Sequence, residues 1–360
     1  MKDLIYISDS HFPSYNADSI QISSTIKALR LNEVKVRLIA LKSPSNSHSE
    51  PIGSDSKLLP ILPIKGYLYI FGLYSLFYNL LRKRKTVYSR HLFSAVLLSI
   101  FGFRTFYEMH NDYWNSTPLP NYWVKKAFRK MTGFISISQG LKNQFLKDFP
   151  MMSQENVLVA PDGANINNGK ARSCFDLNSS KLNVGYTGSF HKGKGIELVL
   201  EMAIKVSDDF HFHIVGGPVP KGYLETTFSN ITFHGQAKYS DIPGFLNEID
   251  IAVLPNQKEI ITGKKGGSIA GFTSPLKMFD YMAAGKCILS SDMKVLREVL
   301  NDKNAYLLPS DNASEWVRIL NQINNNRELI KQKGFQAQKD FESKYTWDLR
   351  AKSIHDFISK

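Results

Sequence analysis

Short apolar runs rich in β-branched and aromatic residues alternate along the chain with longer segments of helical period. LIYIS (4–8) reads as a first strand. Residues 18–31 read as a helix with Ile20, Ile22, Ile26, Leu29 and Leu31 apolar, and VKVRLIAL (34–41) as a strand. TVYSR (86–90) and TFYEMH (105–110) are predicted strands flanking a helix over 93–101. GFISIS (133–138) precedes a helix over 139–149, and VLVAPDGA (157–164) is a strand entering a turn. After a polar stretch rich in Asn, Ser and Lys the alternation restarts. Strands are predicted at LNVGYTG (182–188), FHFHIVG (210–216), ITFHG (231–235), IDIAVLP (249–255), CILSS (287–291) and AYLLP (305–309). Helices are predicted at 196–206, 240–248, 275–284 and 295–300, and helices fill the rest, the last over 346–358.

Strand–helix alternation in both halves predicts α/β architecture, two parallel sheets with helices on both faces. A chain of 360 residues exceeds what one core usually serves, so two domains are expected. Their bounds are set at 1–165 and 182–343, with 166–181 as linker and 344–360 as a final helix. Doubly wound sheets bind ligands beyond the carboxyl ends of their strands, which directs attention to the turns after Ser8, His110, Ser138, Gly188, Gly216, Gly235 and Pro255.

Composition narrows the class. Apolar residues are 43% and charged residues 21%, which excludes disorder and collagen. Two cysteines, Cys174 and Cys287, exclude a disulfide scaffold and, with no metal-ligand spacing, speak against structural zinc. MKDLIYISDS has no basic region followed by a long apolar stretch, so a cytoplasmic protein is expected. The longest uncharged window, GYLYIFGLYSLFYNLL (66–81), has 16 residues, below the roughly 20 that span a bilayer.

The net charge of +13 is unevenly placed. Residues 1–165 hold 20 Lys+Arg against 11 Asp+Glu, whereas residues 166–360 hold 25 against 21. Arg82, Lys83, Arg84 and Lys85 directly follow the aromatic window, and Lys125, Lys126, Arg129 and Lys130 stand beside Tyr122 and Trp123. The window alone favours a core helix followed by a solvated basic turn. The charge asymmetry tips the reading to contact with an anionic membrane surface. No RNP aromatics, zinc finger or helix-turn-helix accompany the charge, so no nucleic-acid partner is expected.

Two segments carry candidate chemistry. GSFHKGKGIEL (188–198) combines glycines, Lys192 and Lys194 with a following helix, a composition that suits a phosphate cradle and, taken alone, equally a flexible basic loop. In GFTSPLKMFDYMAAGK (271–286), Thr273 and Ser274 are N-cap candidates and Pro275 fits the first helical turn. Lys277 there opposes the helix dipole unless an anion binds. Asp280 lies one turn beyond Leu276, where a carboxylate can accept bonds from ribose hydroxyls; the alternative is an Asp280–Lys277 pair on a solvated face, and the concentration of caps, small residues and ions favours the first.

These segments, with VGGP (215–218), ITFHGQ (231–236), IDIAVLP and CILSSD, resemble the donor half of the retaining glycosyltransferase family 4. YEMHN (107–111) resembles that family's E-x-H strand end, YNADSIQI (15–22) its first acceptor loop, and YTWDLRAKSIHDFI (345–358) its last helix. The resemblance implies a GT-B fold of two Rossmann-like domains with a cleft between them and a C-terminal helix returning to the first. It implies that Lys194 holds the donor diphosphate, with Gly188 and Ser189 in the same turn. Thr273, Ser274, Pro275, Leu276 and Lys277 meet phosphate or sugar, and Asp280 meets the ribose. His110 faces the transferred sugar, and Asn16, Asp18, Ser19 and Arg90 lie on the acceptor side. Two departures stand out: Phe272 occupies the place of the first glutamate of E-x7-E, and Ser189 that of the usual phosphate arginine, for which His191 or Lys192 could compensate.

The expected function is retaining transfer of a sugar from a nucleotide sugar to a glycolipid or polysaccharide precursor, by a peripheral protein at the inner face of the membrane, with no metal and no cofactor. A nucleotide-sugar 2-epimerase and a non-catalytic partner subunit of the same fold are the alternatives. His211, His213 and His234 alternate with apolar residues and are read as structural.

Overall fold

The structure, a computed structural model, describes residues 3–14, 16–44, 56–81, 86–167, 180–219, 229–260 and 268–360, with positions 169, 171, 174, 175, 177 and 222 singly. The chain forms two compact units, Met1–Asp162 with Trp347–Lys360, and Gly163–Thr346.

In the first unit, β1 (Asp3–Phe12), β2 (Lys35–Lys42), β3 (Lys57–Leu59), β4 (Thr86–Ser89), β5 (Thr105–Met109), β6 (Gly133–Ser136) and β7 (Val157–Val159) make one sheet in the order β3-β2-β1-β4-β5-β6-β7. Every pairing is parallel, with Leu4 beside both Val36 and Thr86, and Tyr107 beside Phe134. The first strand outruns its apolar core LIYIS. After a register shift between Ile7 and His11 it pairs again, His11 with Leu41 and Phe12 with Lys42. The connections include α1 (Ala17–Leu31), α2 (Tyr67–Leu80), α3 (Leu92–Ile100), α4 (Asn121–Lys130) and α5 (Gln139–Asp148). The α4 helix has no predicted counterpart, because it buries only Val124, Ala127 and Phe128 and presents polar residues elsewhere.

The aromatic window forms α2, which sets Phe71 and Leu76 in the core of the unit and leaves a second apolar face outside. Phe71, Gly72, Ser75, Leu76 and Asn79 are buried, whereas Tyr69, Ile70, Leu73, Phe77 and Leu80 are exposed, Phe77 to 59%. Beside Phe71 and Leu76 the inward face carries small or self-satisfied residues. Ser75 Oγ donates to the Phe71 carbonyl at 2.9 Å, and Asn79 Nδ2 to the Ser75 carbonyl at 2.7 Å. Gly72 lies under the Phe93 ring of α3, where a Cβ would sit 2.3 Å from ring carbon.

In the second unit, β8 (Leu182–Thr187), β9 (Phe210–Val215), β10 (Ile231–Gly235), β11 (Ile251–Leu254), β12 (Cys287–Ser291) and β13 (Tyr306–Leu308) are parallel in the order β10-β9-β8-β11-β12-β13. Described helices are α6 (Ile196–Lys205), α7 (Ile242–Glu248), α8 (Leu276–Ala283), α9 (Ala313–Asn325) and α10 (Glu328–Lys344). The helix expected over 295–300 is only a 3-10 turn, Leu296–Glu298. The expected linker falls largely outside the described residues; Phe175 and Leu177 within it pack on the core of this unit. The last helix, α11 (Trp347–Ser359), belongs to the first unit, where it packs on α1.

Each sheet reverses its strand order beside its first strand, between β1 and β4 and between β8 and β11. At such a point the flanking crossovers leave in opposite directions, opening a crevice beyond the carboxyl ends.

Candidate functional site

At the reversal point of the first unit lies a pocket of about 200 Å³, lined by residues that include Asp9, Arg90, Tyr107, Glu108, His110 and Tyr113. Glu108 closes its floor. Its position on a wholly buried strand takes its carboxylate out of water, and four donors surround it. Tyr6 Oη donates to Oε2 at 3.0 Å, and Gln21 Nε2 and Arg350 Nη2 donate to Oε1 at 2.9 and 2.6 Å. His110 Nε2 is 3.2 Å from Oε1, close but not aligned as a directed hydrogen bond. Burial alone would raise the Glu108 pKa; Arg350 and His110 overcome it and hold the carboxyl well below its ordinary value. Burial, reinforced by the Arg90 charge, lowers the His110 pKa, so its imidazole is neutral at neutral pH. A carboxylate beside Nε2 favours the tautomer protonated there, which leaves Nδ1 as an acceptor.

The start of α1 joins this pocket through Arg90. Arg90 Nη1 donates to the Asp18 carbonyl at 3.3 Å and makes a short bond to Gln21 Oε1. Asn16 is the exposed cap position of α1; Asp18 Oδ1 accepts from the Ser19 amide at 2.9 Å, and Ser19 Oγ from the Ser14 amide at 3.1 Å.

The second unit carries a different arrangement at its reversal point. Gly188 ends β8 with φ 138°, its amide donating to the Val215 carbonyl at 2.9 Å. Gly216 approaches so closely that a Cβ on it would lie 1.7 Å from the Gly188 oxygen. The turn then runs against the chain leaving β11: the Gln257 amide donates to the Gly193 carbonyl at 2.9 Å, and a Cβ on Gly195 would lie 1.8 Å from the Pro255 oxygen. Ser189 offers its carbonyl to Tyr186 Oη at 2.9 Å. His191 and Lys192 are exposed, whereas Lys194 is partly buried, which lowers its pKa.

Lys277 comes to the same place from α8. Its Nζ lies 3.9 Å from the centroid of the Tyr186 ring, and a Cβ on Gly188 would lie 3.1 Å from it. That nitrogen is buried and has no hydrogen-bond partner among the described residues. Burial, then repulsion from Lys194, lowers its pKa well below the ordinary lysine value. The alternative Asp280–Lys277 pair does not form. Asp280 Oδ1 instead accepts from Tyr239 Oη at 2.7 Å, and burial lifts its carboxyl to about 7. The helix starts at Leu276 with Pro275, not Thr273 or Ser274, in the cap position; proline's extended backbone ends the preceding loop one residue later than expected. Thr273 is buried and Ser274 partly so.

Of the basic clusters, Lys125, Lys126, Arg129 and Lys130 are all exposed on α4, beside Tyr122 and Trp123, 68% and 45% exposed. Lys126 Nζ lies 5.8 and 5.6 Å from those two ring centroids. Arg82, Lys83, Arg84 and Lys85 lie outside the described residues. No helix among the described residues is long and apolar enough to cross a membrane. Two of the three strand histidines bond to each other, His213 Nδ1 to His234 Nε2 at 3.1 Å; His213 Nε2 also bonds to Asn183 Oδ1 at 2.9 Å, and His211 Nε2 to Thr232 Oγ1 at 2.8 Å.

Sequence reading assigned no role to Glu108, Arg350, Tyr186 or Tyr239. The first two stand inside quoted segments, YEMHN and YTWDLR, and an isolated charge in an otherwise apolar strand was the available signal for Glu108.

Comparison with known proteins defines the class. Sucrose-phosphate synthase from Thermosynechococcus elongatus superposes with a TM-score of 0.75 at 15% identity, covering 100% of this chain and 98% of that one. Anabaena HepE in complex with UDP and glucose gives 0.72 at 14%, covering 100% of both. The lipopolysaccharide outer core galactosyltransferase WaaB in its apo form gives 0.72 at 14%, covering 99% of both. The fold is GT-B, two Rossmann-like units of seven and six parallel strands. Within it, residues 181–326 match the family of glycosyl transferases group 1, so the second unit carries a domain of that kind. No curated protein matches the chain by sequence.

Proposed function

We propose that the protein is a retaining glycosyltransferase that moves a sugar from a nucleotide sugar to a glycolipid or polysaccharide precursor at the cytoplasmic face of a membrane. The observation that carries the reading is the meeting, beside the Gly188 turn, of Lys194 and a Lys277 with no hydrogen-bond partner among the described residues, inside a glycosyl transferases group 1 domain. Two lysine nitrogens with no carboxylate bonded to them among the described residues suit a phosphate, and a nucleoside diphosphate supplies one. Asp280, one helical turn from Leu276, receives the ribose hydroxyls once Tyr239 yields or shares its bond. Among the structural neighbours, HepE binds UDP and glucose, which supports a nucleotide-sugar donor.

The chemistry follows from charge. The bond from sugar to diphosphate breaks with negative charge gathering on the leaving group, and the two lysines meet it there. The reading assigns no metal and no cofactor to that task. The acceptor attacks from the face the diphosphate leaves, so no protein nucleophile is assigned. Neutral His110 accepts a hydrogen bond from a hydroxyl in the first unit's pocket, and Glu108 holds its ring.

The outward apolar face of α2 and the aromatic, basic surface of α4 support the membrane part of the reading. Both helices pack against α3. WaaB, whose name places it in lipopolysaccharide assembly, supports a lipid-linked or polysaccharide acceptor.

Calorimetric titration with nucleoside diphosphates, followed by incubation with a panel of nucleotide sugars with and without lipid acceptors, tests the reading. Diphosphate release that depends on acceptor is expected. Interconversion of nucleotide-sugar epimers without acceptor would assign an epimerase instead. Binding without turnover of any kind would assign a non-catalytic partner, the reading that Phe272 favours.

A further inference from the structure

We propose that Lys277 is an uncharged lysine in the empty protein and becomes the second diphosphate-binding cation by taking up a proton as the nucleotide enters. The inference rests on the donor-site reading above and deepens it. It concerns the position where Ser189 leaves the turn without a basic side chain, and where the exposed His191 and Lys192 stand off from the buried floor.

The geometry makes the empty site hostile to a charge. Lys277 Nζ is shielded from water, and none of its three possible hydrogen bonds is made among the described residues. Among the described residues no carboxylate bonds to it. The turn after β8 contributes Lys194, a like charge. β8 contributes the Tyr186 ring, 3.9 Å away, whose face attracts a cation far more weakly than a carboxylate would. Along its own helix, Tyr281 Oη is committed to Thr187, and Asp280 to Tyr239. Glu197 acts on Tyr186 from α6. A buried ammonium with a neighbouring ammonium and no counter-ion gives up its proton instead of bearing the cost.

A diphosphate reverses each term. It places negative charge over Gly188, within reach of the nitrogen that a Cβ there would almost touch. A charge-assisted hydrogen bond to phosphate then favours the ammonium form, and the proton comes from solvent. The same linkage acts on Lys194, whose own burial lowers its pKa. Binding and protonation are therefore one event, and affinity falls by up to about tenfold per pH unit above the empty-site pKa for each proton taken up.

Calorimetry with nucleoside diphosphates at pH 8, in buffers of different ionisation enthalpy, reads proton uptake directly. The terminal phosphate titrates near pH 6 and is already ionised at pH 8, so the protons counted go to the protein. The wild type is expected to show buffer-dependent heat with net uptake. Lys277→Arg, charged at all working pH values, is expected to bind with that uptake reduced, and Lys277→Met to lose about ten- to a hundredfold in affinity. Heat independent of buffer in the wild type, or undiminished uptake in Lys277→Arg, would overturn the proposal while leaving the donor reading in place. Failure of every nucleotide to bind the wild type would instead remove the reading on which it rests.

Discussion

Arg350, on the last helix, places Nη2 2.6 Å from Oε1 of Glu108, 242 residues earlier in the chain. The two groups are 4% and 1% exposed, so the pair is shut off from solvent. The guanidinium also donates through Nε to the Pro161 carbonyl at 2.9 Å and through Nη1 to Thr25 Oγ1 at 3.1 Å. One side chain thus ties α11 to α1, to the segment after β7 and to the floor of the pocket. Removing one partner of a buried pair strands the other charge, at a cost of about 3–5 kcal/mol. Arg350→Met is expected to destabilise the first unit by that amount in a urea titration. Glu108→Gln combined with Arg350→Met should recover part of it, because the stranded charge is then gone; equal loss in the single and double variants would mean that the pair itself carries little.

Asp280 gives the donor site a pH dependence distinct from that of the lysines. Its carboxyl titrates near 7 in the empty protein because burial raises it. Below that value the group is neutral and a weaker acceptor for ribose hydroxyls. The lysines drive wild-type affinity the other way, so the carboxylate's share is read by comparison: Asp280→Asn is expected to weaken nucleotide binding more at pH 8 than at pH 6. The sign for stability is opposite: a carboxyl raised on folding costs stability as pH rises from its unfolded value near 4 toward 7. Asp280→Asn should accordingly unfold at a higher temperature than wild type at pH 8, which a thermal melt measures.

His110 is held neutral by burial and by the Arg90 charge, with Nε2 beside Glu108. A bond to a hydroxyl that matters as charge develops lowers the barrier without changing donor binding. His110→Ala is expected to reduce kcat by about a hundredfold with nucleotide affinity unchanged. Steady-state kinetics at saturating donor decides it, and an unaltered kcat would return the residue to a structural role.

The parts legible in the sequence are those written in local order. The strands β5, β8 and β11 are short apolar runs, and in the structure every residue in them is buried. The Gly188–Lys194 turn and the Leu276–Asp280 helix start stand out in the sequence as candidates because their polar and charged residues lie within a few positions of one another. The rest depends on pairings across distance: Lys277 over Tyr186, Tyr239 on Asp280, Arg350 on Glu108. Periodicity says which residues are inside and does not say what they meet there. The α2 helix was illegible for another reason. With Tyr, Phe and Leu on every side, its pattern could not reveal that Gly72, Ser75 and Asn79 share the buried face with Phe71 and Leu76.

The three strand histidines make the second unit sensitive to acid. His213 is bonded on both ring nitrogens, and burial, with repulsion from His211 and His234, lowers its pKa to about 3. A histidine depressed on folding contributes stability that is complete above its unfolded pKa near 6.5 and is lost as pH falls through the folded value. The melting temperature of the second unit is expected to drop between pH 6.5 and 4, and His213→Gln to lessen the drop. A variant whose melting curve follows the wild type across that window would show that other groups govern the loss.

The membrane reading makes the most exposed demand on the surface of the first unit. Lys125, Lys126, Arg129 and Lys130 supply charge on α4, and Tyr122 and Trp123 supply rings at its start. Leu73, Phe77 and Leu80 point outward from α2. Basic residues near an anionic leaflet contribute about 1 kcal/mol each, and this part is screened as the Debye length shrinks from about 10 Å at 0.1 M salt to about 3 Å at 1 M. Apolar insertion is not screened. Sedimentation with vesicles should therefore show strong binding to anionic lipid at low salt and a remainder at high salt. Reversing the four basic residues of α4 to glutamate should abolish the salt-sensitive part, and Phe77→Ser with Leu73→Ser the remainder. Nucleotide binding should survive in both variants, because every group assigned to it lies in the second unit. Equal, negligible sedimentation with neutral and anionic vesicles would remove the membrane from the proposed function and leave a transferase acting on a soluble acceptor.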